Sequence, residues 1–398
     1  MWQSLLDRLL TKIVHEGEIS VTWPDGRTTT YGGGNGPSSA VTLHDKALPR
    51  KLVVSGDLAM GEAYMDETLT VSQGDLRGFL SLIARNAKKY GGGRYGTSVT
   101  GLRKSLRRIT QYNPLHIARR NVEHHYDLST DLYELFLDQD LQYTCAYFAE
   151  PGLSIEEAQE AKKAHIAKKL LIKPGMKVMD IGCGWGGMAI TLARDYGAQV
   201  VGVTLSKVQL EYAKKRADAA GVADKIEFRL IDYRDVNEEF DRIVVVGMME
   251  HVGQPQYPRF FGKLRENLKP DGVALVHTIG RSTPPGRTSP WIHKYIFPGG
   301  YVPAMSEAMK EIEKQGLVAT DIEVWRGHYA RTLQRWQDKF EANLEAIGSL
   351  YDDRFLRMWR YYLVASETAF KELGMVVFQF QLSRDPAAVP ETRDYLYA

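Results

Sequence analysis

No stretch constrains this chain more than Lys177–Gly187, KVMDIGCGWGG. Val178, Met179 and Ile181 read as a short buried strand that closes with Asp180 in its register, and MAITLARDYG after Gly187 reads as a helix. Between them, Gly182, Gly184 and Gly186 permit positive φ and let the backbone approach a ligand that a side chain would block. A strand, glycine turn and helix at the carboxyl edge of a parallel sheet is where α/β folds hold nucleotide-like cofactors. The pattern alone leaves open a dinucleotide, S-adenosylmethionine (SAM), or a tight helix–sheet contact with no ligand.

The following strands narrow the choice. Gln199–Ser206, QVVGVTLS, ends in Thr204 and Ser206 instead of the acid that grips an NAD ribose. The turn also lacks a P-loop lysine, which argues against ATP and GTP. KIEFRLIDYRD then delivers Asp232, an acid better suited to an adenine amino group than to a diphosphate. A SAM methyltransferase fits these strand ends best. Strands and helices keep alternating as far as GVALVHTIG (272–280), and runs such as Ile243–Val246 are continuously apolar, as in strands covered on both faces. The expected fold is α/β: a doubly wound, Rossmann-like SAM-methyltransferase sheet with a smaller α+β N-terminal domain.

The 398 residues suffice for two domains. Residues 1–89 are expected to form a first module with nothing catalytic in it, 90–118 a basic flexible linker, and 119–398 the catalytic domain. In the first module GEISVTWPDGRTTTYGG reads as a hairpin around a Pro-Asp-Gly turn. GDLRGFLSLIARNAKK reads as an amphipathic helix with Leu76, Phe79, Leu80 and Ile83 on one side. In the second domain Ser154 and Glu157 form a capping-box pattern, opening a helix with Ile155, Ala158, Ile166, Leu170 and Leu171 inward. The aromatic, proline-rich insert 281–303 is too long for an ordinary connection and is expected to cover the active site. Near the end, VVFQFQLSR reads as an alternating strand and the last dozen residues as a loose tail.

Charge is unevenly spread. Residues 1–120 hold 17 Lys and Arg against 10 Asp and Glu, and Arg85–Arg120 holds ten basic residues and no acid. Such a segment is attracted to an anionic bilayer or to nucleic acid. No apolar run is long enough to span a membrane, and MWQSLLDRLL reads as a surface amphipathic helix, not a signal peptide. Two cysteines, Cys145 and Cys183, give no disulfide framework and suit a reducing cytoplasm. His124 and His125 are adjacent, with no spacing that recommends zinc, so no metal site is expected.

Glu250 and His277 fall at the ends of two successive strands, on the edge that carries the glycine turn. There they could transfer a proton or hold a small anion. Taken singly, His277 fits a core histidine equally well, and Cys145 fits a small buried apolar residue. No Gly-x-Ser-x-Gly elbow supports a hydrolase.

HYDLSTDLYELFLDQDLQYTCAYF, MDIGCGWGG, VGVTLSKVQ, DYRD, GMMEHVG, VHTIG, PWIHKYIFPGG and YYLVASETAF occur in that order between His124 and Arg384. Together they resemble the cyclopropane fatty acid synthase family. SGDLAMGEAYMD in the first module resembles the N-terminal domain of its phospholipid-acting bacterial members, which implies a lipid-binding or dimerisation role for residues 1–89. The resemblance implies transfer of the SAM methyl to a cis double bond of an acyl chain in a membrane phospholipid. The resulting carbocation would lose a proton from the new methyl to bound bicarbonate as the ring closes. It implies a bicarbonate cage of Cys145, Glu250, His277, Tyr329 and the backbone at Ile279. It implies SAM contacts at Tyr143, Thr144, Gly182, Gly184, Thr204, Gln209, Asp232 and Tyr233, beside Asp180, Gly186 and Ser206 of the same strand ends. Trp291, Tyr295, Phe297 and Trp336 are candidates for an acyl tunnel by type and location. A cysteine that many members carry at the end of the YYL helix is Ser366 here, which excludes a covalent cysteine mechanism at that position. The implied setting is a cytoplasmic homodimer bound peripherally to the inner membrane, with no nucleic-acid partner. Methylene or methyl branching is the alternative outcome of the same carbocation, and an RNA methyltransferase is a more distant alternative.

Overall fold

The continuous apolar runs of the sequence become the centre of a seven-stranded sheet. The structure is a computed structural model that describes residues 1–91 and 129–397. Residues 92–118 of the expected linker, with Arg103–Arg108, and also His124 and His125, lie outside the described residues. The chain divides into two compact units. One joins Met1–Arg107 to Thr288–Pro298 and Ala330–Met375; the other comprises Arg108–Arg287, Gly299–Tyr329 and Val376–Ala398. The expected division at residue 119 is therefore too simple, because two later segments cluster with the first module.

The first unit contains α1 (Trp2–Ile13), β1 (Glu18–Thr22), β2 (Thr28–Gly32), β3 (Ser38–Leu43), α2 (Leu48–Met65), β4 (Leu69–Gln73) and α3 (Leu76–Tyr90). The strands form one sheet in the order β2-β1-β3-β4. β1 and β2 are the antiparallel hairpin expected from Pro-Asp-Gly. Asp75 caps α3 by accepting from Gly78 N at 2.6 Å. α3 buries Leu76, Phe79, Leu80 and Leu82, while Ile83 is only half-buried. The later segments are held by specific contacts. Trp291 packs so tightly on α2 that a Cβ at Gly61 would lie 2.3 Å from its ring. Glu367, fully buried on the helix Asp353–Glu372, accepts from Arg77 Nε at 2.8 Å.

The second unit contains α4 (Thr130–Phe136), α5 (Ile155–Lys169), β5 (Lys177–Ile181), α6 (Gly187–Tyr196), β6 (Gln199–Thr204), α7 (Lys207–Ala219), β7 (Ile226–Leu230), β8 (Phe240–Val246), α8 (Tyr257–Asn267), β9 (Leu268–Arg281), β10 (Val318–Trp325) and β11 (Met375–Ser383). The sheet order is β10-β11-β9-β8-β5-β6-β7. β5 pairs in parallel with β6 and β8, β6 with β7, and β8 with β9. β10 and β11 pair antiparallel, so the sheet is mixed at that edge. Successive residues feed opposite cores. Met179, Val201, Ile243 and Ala274 pack on one face with Phe260 and Phe261 of α8. Val178, Val200, Val244 and Leu275 pack on the other with Ile166 of α5 and Leu192 of α6. Both faces being covered is why these strands read as unbroken apolar runs.

VVFQFQLSR is the strand its alternation predicts, but Val376–Ser383 is buried throughout, polar positions included. Its glutamines are inside because they have partners: Gln381 donates to the carbonyl of Lys169 and to Tyr395 Oη. The last residues are not a loose tail. Val389 and Leu396 are buried, Tyr395 bonds Gln381, and Arg393 pairs with Asp321 at 2.5 Å.

Candidate active site

The glycine turn shapes a cavity of about 170 Å³ at the carboxyl ends of β5, β6, β7 and β8. Gly182 and Gly184 line it with φ of 78° and 53°. Gly186 does not line it. Its φ is 85°, and a Cβ there would sit 2.9 Å from Ala213 and Phe228, so it is needed to start α6 against α7 and β7. Tyr143, Thr144, Asp180, Thr204, Gln209, Asp232 and Tyr233 line the cavity. Ser206 stands behind it as the N-cap of α7, accepting from Gln209 N at 3.3 Å and so orienting Gln209.

Asp232 is more occupied than the sequence suggested. Its carboxylate accepts the Arg234 guanidinium at two oxygens, 2.8 Å each, and Arg234 N at 2.9 Å. A carboxylate has further lone pairs, so an adenine amino group remains a compatible partner. Asp180 is buried to 1 % exposure, and its Oδ2 has no partner among the described residues. Burial pushes its carboxyl up to about 7, against the pull of Lys162.

Lys162 was missed in the sequence, where α5 was read for its aliphatic face alone. It is fully buried and donates to Gln142 Oε1 at 2.6 Å and Thr144 Oγ1 at 2.8 Å, two residues of the cavity wall. Burial lowers its ammonium to about 8. Gln159, one turn earlier, donates to the carbonyls of Gln142 and Thr144 at 3.0 Å each. Polar residues at 159 and 162, between Ala158 and Ile166 on the inward face, were the available signal. His251, Met248 and Trp185 also line the cavity, and burial lowers His251 to about 4.

Cys145, Glu250, His277, Ile279 and Tyr329 do not line this cavity; they are linked through contacts of their neighbours in the chain. Glu250 lies in a 3₁₀ turn after β8, and its Oε1 accepts from Ile279 N of β9 at 2.6 Å. The Ile279 backbone donor is thus already used. Glu250 Oε2 is sealed from solvent with no partner among the described residues. Burial raises this carboxyl to about 7, with the Ile279 N–H opposing. His277 lies two residues before Ile279, and burial pushes it well below the ordinary imidazole range, so the ring is neutral. Its ring meets Trp325 edge-on at 5.2 Å, and its Nδ1 lies 3.1 Å from Gln379 Nε2. Trp325 also packs on Tyr147 at 4.8 Å, and Tyr147 stacks on His328 at 5.0 Å. Phe148 N donates to His328 Nδ1 at 3.1 Å. These contacts tie the Cys145 loop to the helix start that carries Tyr329. Cys145 is buried, next to Thr144 of the cavity wall, and its Sγ donates to Ala146 O at 3.4 Å. Among the candidates for an acyl tunnel, Trp291 and Trp336 are fully buried in the first unit.

Residues 115–380 match the family described as mycolic acid cyclopropane synthetase, and residues 5–91 match a domain of unknown function. The chain is 37% identical over 340 residues to the cyclopropane-fatty-acyl-phospholipid synthase of Escherichia coli strain K12, covering 84% of this chain and 85% of that one. The chain belongs to the mycolic acid cyclopropane synthetase family. It is therefore a SAM-dependent methyltransferase. The tuberculostearic acid methyltransferase of Mycobacterium tuberculosis is 33% identical over 399 residues, covering 96% of this chain and 91% of its own. A mycolic acid cyclopropane synthase solved with SAH and CTAB has a TM-score of 0.64 and 32% identity, covering 68% of this chain and 99% of its own. The match at residues 5–91 ends close to the expected boundary of the first module.

Proposed function

We propose that this enzyme closes a cyclopropane ring on a cis double bond of an unsaturated phospholipid acyl chain, with bicarbonate bound beside SAM. The observation that carries the reading is Glu250. It is a carboxyl held near neutrality, one oxygen fixed by Ile279 N and the other buried without a partner among the described residues. A buried, unsatisfied oxygen is costly and calls for a ligand. When bound, SAM supplies the methyl, and bicarbonate supplies a base for the proton lost as the ring closes. Glu250 can give or share a proton at Oε2, so it meets an oxyanion without adding a second full charge. Neutral His277 offers an N–H to the same anion. Cys145 and Tyr329 complete the set, and the Ile279 amide acts by fixing Glu250. No protein nucleophile is required, which accords with Ser366 where other members carry cysteine.

The substrate reading rests on the Escherichia coli relative's printed activity and on the basic stretch Arg85–Arg120. Among the described residues no helix is long and apolar enough to cross a membrane. Peripheral attachment at the cytoplasmic face of the inner membrane, as a homodimer, is the arrangement we propose. A branching methyltransferase is a second reading, favoured by the tuberculostearic acid relative, which spans more of this chain. The two separate on lipid product: incubation with unsaturated phospholipid vesicles, SAM and bicarbonate gives a product that resists mild hydrogenation if a ring has formed. A methylene-branched product takes up hydrogen, and a methyl-branched one forms only with an added reductant.

A further inference from the structure

Gln379 is a fully buried glutamine on β11 that spends its one side-chain hydrogen bond among the described residues on His277. Its Nε2 faces His277 Nδ1 at 3.1 Å, and its Oε1 has no partner among the described residues. Burying an amide this way costs stability that an aliphatic residue would not. The neighbouring Val377 and Phe378 are apolar, so the position could hold such a residue. Local rules broken without a packing gain point to function.

The chemistry of the contact is one-directional. An amide nitrogen only donates, so Nδ1 must be the bare, accepting nitrogen of the ring. Desolvation keeps the ring neutral, so the single ring proton must sit on Nε2. Nε2 has no hydrogen-bond partner among the described residues. We infer that Gln379 is the positioning residue that locks His277 as the neutral Nε2–H tautomer, so that the ring presents a donor to the anion beside Glu250. The lock is a property of the Gln379–His277 pair; its use for bicarbonate rests on the reading above. Without Gln379 the ring would populate both tautomers, and the Nδ1–H form turns a lone pair toward the anion. Gln379→Glu reverses the lock at a pH where its buried carboxyl is ionised, because a carboxylate only accepts and would hold the proton on Nδ1.

The test is ¹⁵N-histidine NMR of the full chain with SAH bound, assigning His277 by its loss in His277→Gln. Wild type is expected to show Nε2 protonated and Nδ1 bare. Gln379→Glu is expected to exchange those two signatures, and Gln379→Leu to give averaged ones. Unchanged SAH affinity in both variants shows that the sheet is intact. A wild-type ring protonated on Nδ1, or a tautomer unaffected by Gln379→Leu, overturns the inference. Added bicarbonate separates the two ideas. If it moves the Nε2 signal, both stand; if Nε2 ignores it while Gln379→Glu still exchanges the signatures, the lock stands and the bicarbonate reading falls. In turnover assays Gln379→Leu is expected to raise the apparent KM for bicarbonate about tenfold, the loss of one charge-assisted hydrogen bond, with a smaller change in the KM for SAM.

Discussion

Glu250→Gln should make the ligand-free protein more stable at pH 8 relative to wild type than it does at pH 5. The ordinary carboxyl value of 4.5 rises to about 7 in the fold because Glu250 is desolvated. Between those values the folded state holds a proton that the unfolded chain has released. The wild type therefore loses stability as pH rises from 4.5 to 7, and the loss is complete above 7. At 1.36 kcal/mol for each pH interval of one, the whole effect is about 3 kcal/mol, of which about 2 to 3 kcal/mol lies between pH 5 and pH 8. Glutamine keeps the bond from Ile279 N and leaves an amide at the Oε2 position. Any cost of burying that amide is the same at both pH values and cancels in the comparison. Urea unfolding followed by far-UV circular dichroism, without SAM, measures it. An offset between Glu250→Gln and wild type that is equal at pH 5 and pH 8 would refute the argument, since it would mean that the carboxyl ionises as an ordinary surface group does. The same variant should lose product formation, so stability and activity move in opposite directions.

Other predictions follow from the cavity and the chain around it. Lys162 can only donate, so Thr144 Oγ accepts from it and keeps its own proton available for another acceptor. Lys162→Met should weaken SAH binding about tenfold while sparing methylthioadenosine, which lacks the amino-acid end, as calorimetric titration of both would show. Gly186→Ala meets both a left-handed backbone and a 2.9 Å contact with Ala213 and Phe228, and should cost about 2 to 3 kcal/mol in urea unfolding, along with SAM affinity. Charge reversal within Arg103–Arg108 should weaken binding to anionic vesicles in cosedimentation while leaving SAM affinity in place; equal loss of both would contradict a membrane role for that stretch.

Sequence alone exposed the edge of the sheet that carries the cavity well because its signals are local. The glycine turn, the apolar strands and the Ser154 capping box each depend on residues close in the chain, and all appear where their spacing placed them. What escaped depends on distant partners. Lys162 looks like any helix-surface lysine until Gln142 and Thr144 fold over it. Gln379 and Gln381 look like the wet face of an edge strand until His277 and Lys169 supply their partners. The division into units escaped for the same reason, since nothing local in 330–375 announces that Glu367 will pair with Arg77. Gly186 and Ser206 were assigned to the cofactor by proximity in sequence, whereas their side-chain positions serve α6 and α7.

The central claim is ring closure with bicarbonate held against Glu250 and His277. Mass spectrometry of fatty acids from unsaturated phospholipid vesicles, incubated with the enzyme and SAM in bicarbonate-depleted and bicarbonate-replete buffer, tests it most directly. The account predicts a product one methylene heavier that resists mild hydrogenation, forming strongly only with bicarbonate and lost in Glu250→Gln. A product that takes up hydrogen, or a ring product formed equally well without bicarbonate, would contradict it.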